Sequence, residues 1–182
     1  MPEGGRPHRK GSTMPRLLVM RHAKSSWSDA TLADHDRPLN ARGKRDAIRA
    51  GEVLAERNAV PDVILTSTAK RARKTAERVV RGLDRSVEIV AVRELYHADS
   101  ATYASWTAGV PASVETVLVI GHNPGIAYWL DRLTGDVEAF PTAAIGCVTL
   151  DIPGWELVTA DTTGRLEWFW YPKSESQEGM AT

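Results

Sequence analysis

Apolar positions fall along this chain in two alternating rhythms. Short unbroken apolar runs come at intervals: Leu17–Met20, a second within Pro61–Ser67, then Val87–Val92, Thr116–Ile120, Cys147–Ile152 and Leu166–Trp170. Runs of this kind, bounded by turn residues, suit strands covered on both faces. Between them apolar residues recur at helical spacing. Asn40–Asn58 carries Ala47, Ala50, Gly51 and Leu54 on one side, with Asn40 placed to cap it. Ala69–Arg81 sets Ala72, Ala76, Val79 and Val80 against a cationic side, and Asn123–Leu133 begins Asn-Pro-Gly before Ile126, Ala127, Trp129, Leu130 and Leu133. Strand and helix in alternation predict an α/β fold, a three-layer α/β/α sandwich around a mainly parallel central sheet. No internal repeat or linker divides it. We read residues 1–14 as a flexible leader, 15–172 as a single domain and 173–182 as a flexible tail.

In such a sheet, ligands bind beyond the carboxyl ends of the strands. The first run ends in Arg21-His22. The second ends in Thr66-Ser67 and opens a helix bearing Lys70, Arg71, Arg73 and Lys74. The third leads to Arg93-Glu94, and the fourth to Gly121-His122. Guanidiniums facing one pocket favour a tetrahedral oxyanion, above all phosphate. A neutral imidazole is a competent nucleophile toward phosphorus, and nearby cations keep it neutral. Fixed positive donors steady the transferring phosphoryl group, and a carboxylic acid protonates the leaving group.

Four stretches, "VMRHAKS", "DRPLNARGKRDA", "PDVILTSTAKRARKTAE" and "VLVIGHNPG", carry a further resemblance. In order and spacing the chain resembles the histidine phosphatase superfamily, phosphoglycerate mutases included, and most of all the small bacterial phosphohistidine phosphatases of the SixA type. The resemblance implies a phosphoglycerate mutase-like fold. It implies that His22 takes the phosphoryl group, Arg21 and Arg71 clamp it, and His122 donates to a phosphate oxygen, with Ser67 in support near the pocket. It puts Glu94 in the place of a proton donor, with Asp29, Asp34 and Asp36 as alternatives from the loop after His22. Ala23 and Lys24 depart from the Arg-His-Gly-Glu of mutases. Lys24 adds a cation at the mouth, which favours a multiply anionic substrate and argues against a mutase. Only 21 residues separate Glu94 from Thr116, too few for a large cap insertion. The expected substrate is therefore a phosphorylated protein side chain, phosphohistidine first, or a small phosphorylated molecule. A phosphate-binding module without turnover is the non-enzymatic alternative.

The remaining features narrow this picture. Charge is balanced, 23 Lys+Arg against 23 Asp+Glu, so nothing global draws nucleic acid or membrane, and an anion site must be local. The lone Cys147 fits a reducing cytoplasm. No apolar run approaches the ~20 residues of a membrane span. Neither metal-ligand spacing nor a phosphate-cradling loop of the GxxxxGK[ST] form occurs, so the chemistry expected needs no cofactor. We read Lys70, Arg73, Lys74 and Arg78 as a solvated helix face, and His8, His35 and His97 as loop imidazoles without a role. Arg37 is expected to fix its loop, paired with Asp34 or Asp36. Trp129 and Trp168 are expected in the core, and Trp27 and Trp106 at the rim. Oligomeric state is not encoded in any motif.

Overall fold

The computed structural model describes residues 14–136 and 139–172. Most of the leader and all of the tail read from the sequence lie outside the described residues; Met14, the last leader residue, is exposed. Six strands form one sheet: β1 (Arg16–Arg21), β2 (Val63–Ser67), β3 (Glu88–Val92), β4 (Thr116–Gly121), β5 (Ile145–Leu150) and β6 (Gly164–Trp170). Their order is β3-β2-β4-β1-β5-β6. The first four pair in parallel; β5 runs antiparallel to β1, and β6 antiparallel to β5. β1, β2 and β4 are the apolar runs of the sequence, and apart from the half-buried Arg21 at the end of β1 and the exposed Arg16 at its start, they are buried throughout, as two covered faces require.

Helices α1 (Ala41–Glu56) and α2 (Lys70–Leu83) cover one face. Ala47, Ala50, Val53 and Leu54 of α1 and Ala72, Ala76 and Val79 of α2 join Leu18, Met20, Ile64 and Ile120 in one apolar cluster. Helices α3 (Ser100–Ala108) and α4 (Gly125–Thr134) cover the other face, where Tyr103, Ile126, Trp129 and Leu130 meet Leu17, Val19, Val117 and Val119. Successive strand residues thus feed opposite layers. Asn40 caps α1 as expected: its side-chain oxygen accepts from Gly43 N at 2.8 Å.

Three differences from the sequence reading have physical causes. The fifth strand begins at Ile145, because its register is set by pairing with Met20 rather than by its own apolar run. Helix α3 has no periodic apolar stripe; Asp99 caps it, accepting from Thr102 N at 2.8 Å, and Tyr103 anchors it by stacking on Trp129 at 5.4 Å. Trp106, expected at the rim, instead lines a cleft of about 540 Å³ beside Val63 and Glu88, at the opposite end of the sheet. Among the described residues no helix is long and apolar enough to cross a membrane.

Candidate active site

The strand order makes β2, β4 and β1 neighbours, so their carboxyl ends open on one place. β1 delivers Arg21 and His22, β4 delivers His122, and β2 ends in Ser67 just before α2, which carries Arg71 in its first turn. The rings of His22 and His122 lie 4.9 Å apart. Arg71 Nε donates to His22 Nε2 at 3.2 Å. Arg71 faces inward because positions 71, 72, 75, 76 and 79 form the buried stripe of α2, while Lys70 and Arg73 are exposed.

The nucleophile candidate is oriented by its own backbone. His22 Nδ1 lies 2.8 Å from Ala23 O and donates to it, so the neutral ring presents an unprotonated Nε2 toward Arg71. Ala23 N in turn donates to Thr75 Oγ1 at 3.0 Å, and Thr75 donates to Arg71 O at 2.7 Å. One hydroxyl therefore ties the His22 loop to the helix that carries Arg71. Burial is the main cause that pulls the His22 imidazole down to about 4; the cations Arg71, Arg21 and Arg37 add to it, and the Ala23 hydrogen bond opposes it. His122, buried and facing His22 and Arg71, is held down to about 2. Both rings are neutral at pH 7.

Ser67 is fully buried and its hydroxyl meets His122 Nε2 at 2.6 Å, while it accepts weakly from Ala69 N at 3.4 Å. Its place is behind the second imidazole rather than at the mouth. His122 N donates to Tyr103 Oη at 3.1 Å, so β4's end is pinned to α3 as well. His122 Nδ1 and Arg21 Nε are buried with no hydrogen-bond partner among the described residues. Arg21 Nη1 donates to Phe140 O at 3.0 Å, and Asn123 Nδ2 donates to the same carbonyl at 3.1 Å.

Asp34, from the loop after His22, is the carboxylate the structure brings to this cluster. It accepts from Arg71 Nη2 at 2.9 Å, Arg37 Nη1 at 2.8 Å and Tyr96 Oη at 2.7 Å. These bonds, Tyr96's first, hold its carboxyl well below the usual range, so it is ionised. Arg37 is buried, also donates to Ser25 Oγ and Ser26 O, and stacks on exposed Trp27 at 3.2 Å. Asp29 is exposed and turned to Thr31, and Asp36 pairs with His35 at 3.4 Å. Glu94 stands exposed on a single 3-10 turn after β3, with no hydrogen bond or ion pair to a described residue. Lys24 is exposed beside Arg21.

Arg-His at the end of β1, Arg71 at the start of α2 and His122 after β4 thus meet in one cluster. The family model of the histidine phosphatase superfamily (branch 1) matches residues 17–107, half of the 182 residues. The chain belongs to the histidine phosphatase superfamily. An uncharacterized protein of Mycobacterium tuberculosis is 38% identical over 137 residues, 69% of this chain and 84% of that one. The chain spans 59% of the length of an uncharacterized chloroplastic protein of Arabidopsis thaliana that is 32% identical over 130 residues. A candidate phosphohistidine phosphatase SixA from Agrobacterium tumefaciens superposes with a TM-score of 0.74 at 31% identity, covering 87% of this chain and 99% of its own. The protein histidine phosphatase SixA complexed with tungstate gives 0.75 at 26% identity, covering 88% and 99%.

In this superfamily member, two residues read as ordinary loop imidazoles stand at the rim. His97 lies 6.0 Å from the His122 ring and 4.0 Å from that of Tyr96, and His35 meets Tyr96 edge-on at 5.0 Å. Tyr96 itself faces His122 at 5.4 Å and was not singled out from the sequence. The only hint was its place two residues past a predicted strand-end Glu94.

Proposed function

We propose that the protein hydrolyses phosphohistidine on other proteins, through a phosphoryl group carried on His22. The observation that supports this best is the pairing of an unprotonated His22 Nε2 with Arg71 Nε at 3.2 Å, beside His122 at 4.9 Å. The lone pair of Nε2 attacks phosphorus, the phosphorus–nitrogen bond of the substrate breaks, and the leaving imidazole keeps that electron pair. Arg21 and Arg71 hold the equatorial oxygens. With the Ser67 hydroxyl donating to Nε2, the neutral His122 ring carries its proton on Nδ1, free for a phosphoryl oxygen. Water then attacks the phosphoryl-His22, the new phosphorus–nitrogen bond breaks, and phosphate departs with His22 neutral again.

The leaving group narrows the substrate. Asp34 is held ionised and so offers no proton to a leaving group. An alkoxide leaving group needs a proton supplied in the transition state. A phosphohistidine imidazole takes one from solvent on its distal nitrogen beforehand and leaves neutral. The nine-residue α3, in place of a larger insertion, leaves the mouth open to a protein side chain. The buried, unpaired Cys147 fits a reducing cytoplasm.

The test compares a phosphohistidine protein, p-nitrophenyl phosphate and simple alkyl phosphates, with His22→Ala as control. Turnover of the first two, slow alkyl phosphates and a dead variant support the reading. Equal turnover of alkyl phosphates, or activity surviving in the variant, overturns it. Faster turnover of small phosphorylated metabolites than of the protein substrate would move the assignment to them.

A further inference from the structure

Arg21 has a second neighbourhood that the chemistry above does not use. A cleft of about 280 Å³ opens on it, lined also by Lys24, Arg42, Thr142 and Tyr171. Three cations from three segments thus converge: Arg21 from the end of β1, Lys24 from the loop after His22, and Arg42 from the first turn of α1. No Asp or Glu among the described residues lines it.

The start of α1 is electrostatically one-sided. A helix N-terminus carries the positive end of the dipole and ordinarily gathers acidic residues. The first turn of α1 has none, and holds Arg42 and Lys44 instead. Arg42 donates from Nε to Asp46 at 3.2 Å, but its side chain is 43% exposed, so that pair is weak and open to exchange. The cations are also held in register. A Cβ at Gly43 would lie 2.1 Å from Lys24 O, so the helix start rests directly on the backbone of Lys24. Asn40 N donates to the same carbonyl at 3.0 Å. Such close packing fixes Lys24 and Arg42 on either side of one opening.

We propose that this cleft is a second anion subsite, which takes an acidic group of the substrate adjacent to the phosphoryl group held by Arg21. It rests on the phosphatase reading of the His22 site. For a protein substrate the second anion is an Asp or Glu carboxylate flanking the phosphohistidine; in a small substrate it is a second phosphate or carboxylate. Lys24 and Arg42 supply the charge, and Thr142 and Tyr171 line the wall.

The experiment reads a preference, not an absolute rate. The ratio of kcat/KM for 3-carboxyphenyl phosphate over phenyl phosphate, and for Asp-flanked over Asn-flanked phosphohistidine peptides, is measured in the wild type. It is then measured in Lys24→Ala/Arg42→Ala and in the charge-retaining Lys24→Arg/Arg42→Lys. Two partly exposed charge pairs give a wild-type preference of about three- to tenfold. It should shrink in 0.5 M salt, fall to about one in the alanine variant, and return in the charge-retaining one. A preference in the peptides alone assigns the cleft to polypeptide carboxylates; one in the aryl phosphates alone assigns it to small substrates.

Calorimetry with methylenediphosphonate against methylphosphonate gives the same comparison without turnover. A ratio unchanged by the alanine variant, or a wild type with no preference in any arm, overturns the subsite. A wild type that turns over nothing yet prefers the diphosphonate, with the preference lost in the alanine variant, sinks the phosphatase reading and keeps the anion site.

Discussion

Two neutral imidazoles buried side by side make this fold acid-sensitive in a window of its own. His22 is 8% and His122 3% exposed, and they are held down to about 4 and about 2 respectively. In the unfolded chain both return to about 6.5. Between these values the unfolded chain binds protons that the folded one refuses, so stability is full above about pH 6.5 and falls with acidification. Each imidazole removes about 1.4 kcal/mol per pH unit once its unfolded form is charged. With two of them, and incomplete protonation near pH 6, the expected loss between pH 6 and 5 is about 2.5 kcal/mol. Asp34 has the same sign, since its carboxyl is lowered, but acts only below about pH 4. The window from pH 6 to 5 therefore isolates the imidazoles. Urea unfolding at pH 7, 6 and 5 and constant ionic strength measures the slope in the wild type, His22→Gln and His122→Gln. Each glutamine should remove about half of it. A flat wild-type profile, or the same slope in all three proteins, would refute the claim that both rings are folded in neutral.

Other perturbations test single contacts. Ser67→Ala leaves His122 Nε2 buried without its 2.6 Å partner; the expected loss is about 1–3 kcal/mol of stability, with a drop in turnover, read by thermal melting and p-nitrophenyl phosphate assay. Gly43→Ala gains about 1 kcal/mol in helix propensity but drives a methyl against Lys24 O; overpacking of about 1–3 kcal/mol outweighs it, so the melting temperature should fall. Asp34→Asn removes the charge that aims Arg71, and kcat/KM should fall by about tenfold, the loss of one charge-assisted bond. Because Asp34 is 44% exposed, its melting temperature at pH 7 should move little, and an equal fall in both would point to a structural role instead.

How much of this was readable from residues alone differs by element. The three inner parallel strands β1, β2 and β4 declared themselves as continuous apolar runs because both of their faces are covered. Arg71 was set apart from its cationic neighbours by the family resemblance, and in the fold it lies on the buried stripe of α2 with Ala72 and Thr75. The strand ends named Arg21, His22 and His122, since a parallel sheet sends its carboxyl ends one way. Helix α3 escaped, as its stability comes from Tyr103 on Trp129 and not from periodicity. Of the web of Asp34, Arg37, Arg71 and Tyr96, the Arg37–Asp34 pair was legible and the rest escaped: Tyr96 bonds a carboxylate 62 residues away, a pairing that only the folded loops define. Ser67 was expected in support near the pocket; that its partner is the His122 ring only the fold shows.

The carbonyl of Phe140 receives both Arg21 and Asn123, and so clasps the ends of β1 and β4 together from a segment well past residue 107. A fragment trimmed to the matched stretch would lose His122 and this clasp alike. Even one extended through α4 would retain every charged and imidazole group in the cluster while leaving Arg21 without its rein. The extent of the unit that holds this cluster is thus set by where the chain returns, rather than by where its motifs end.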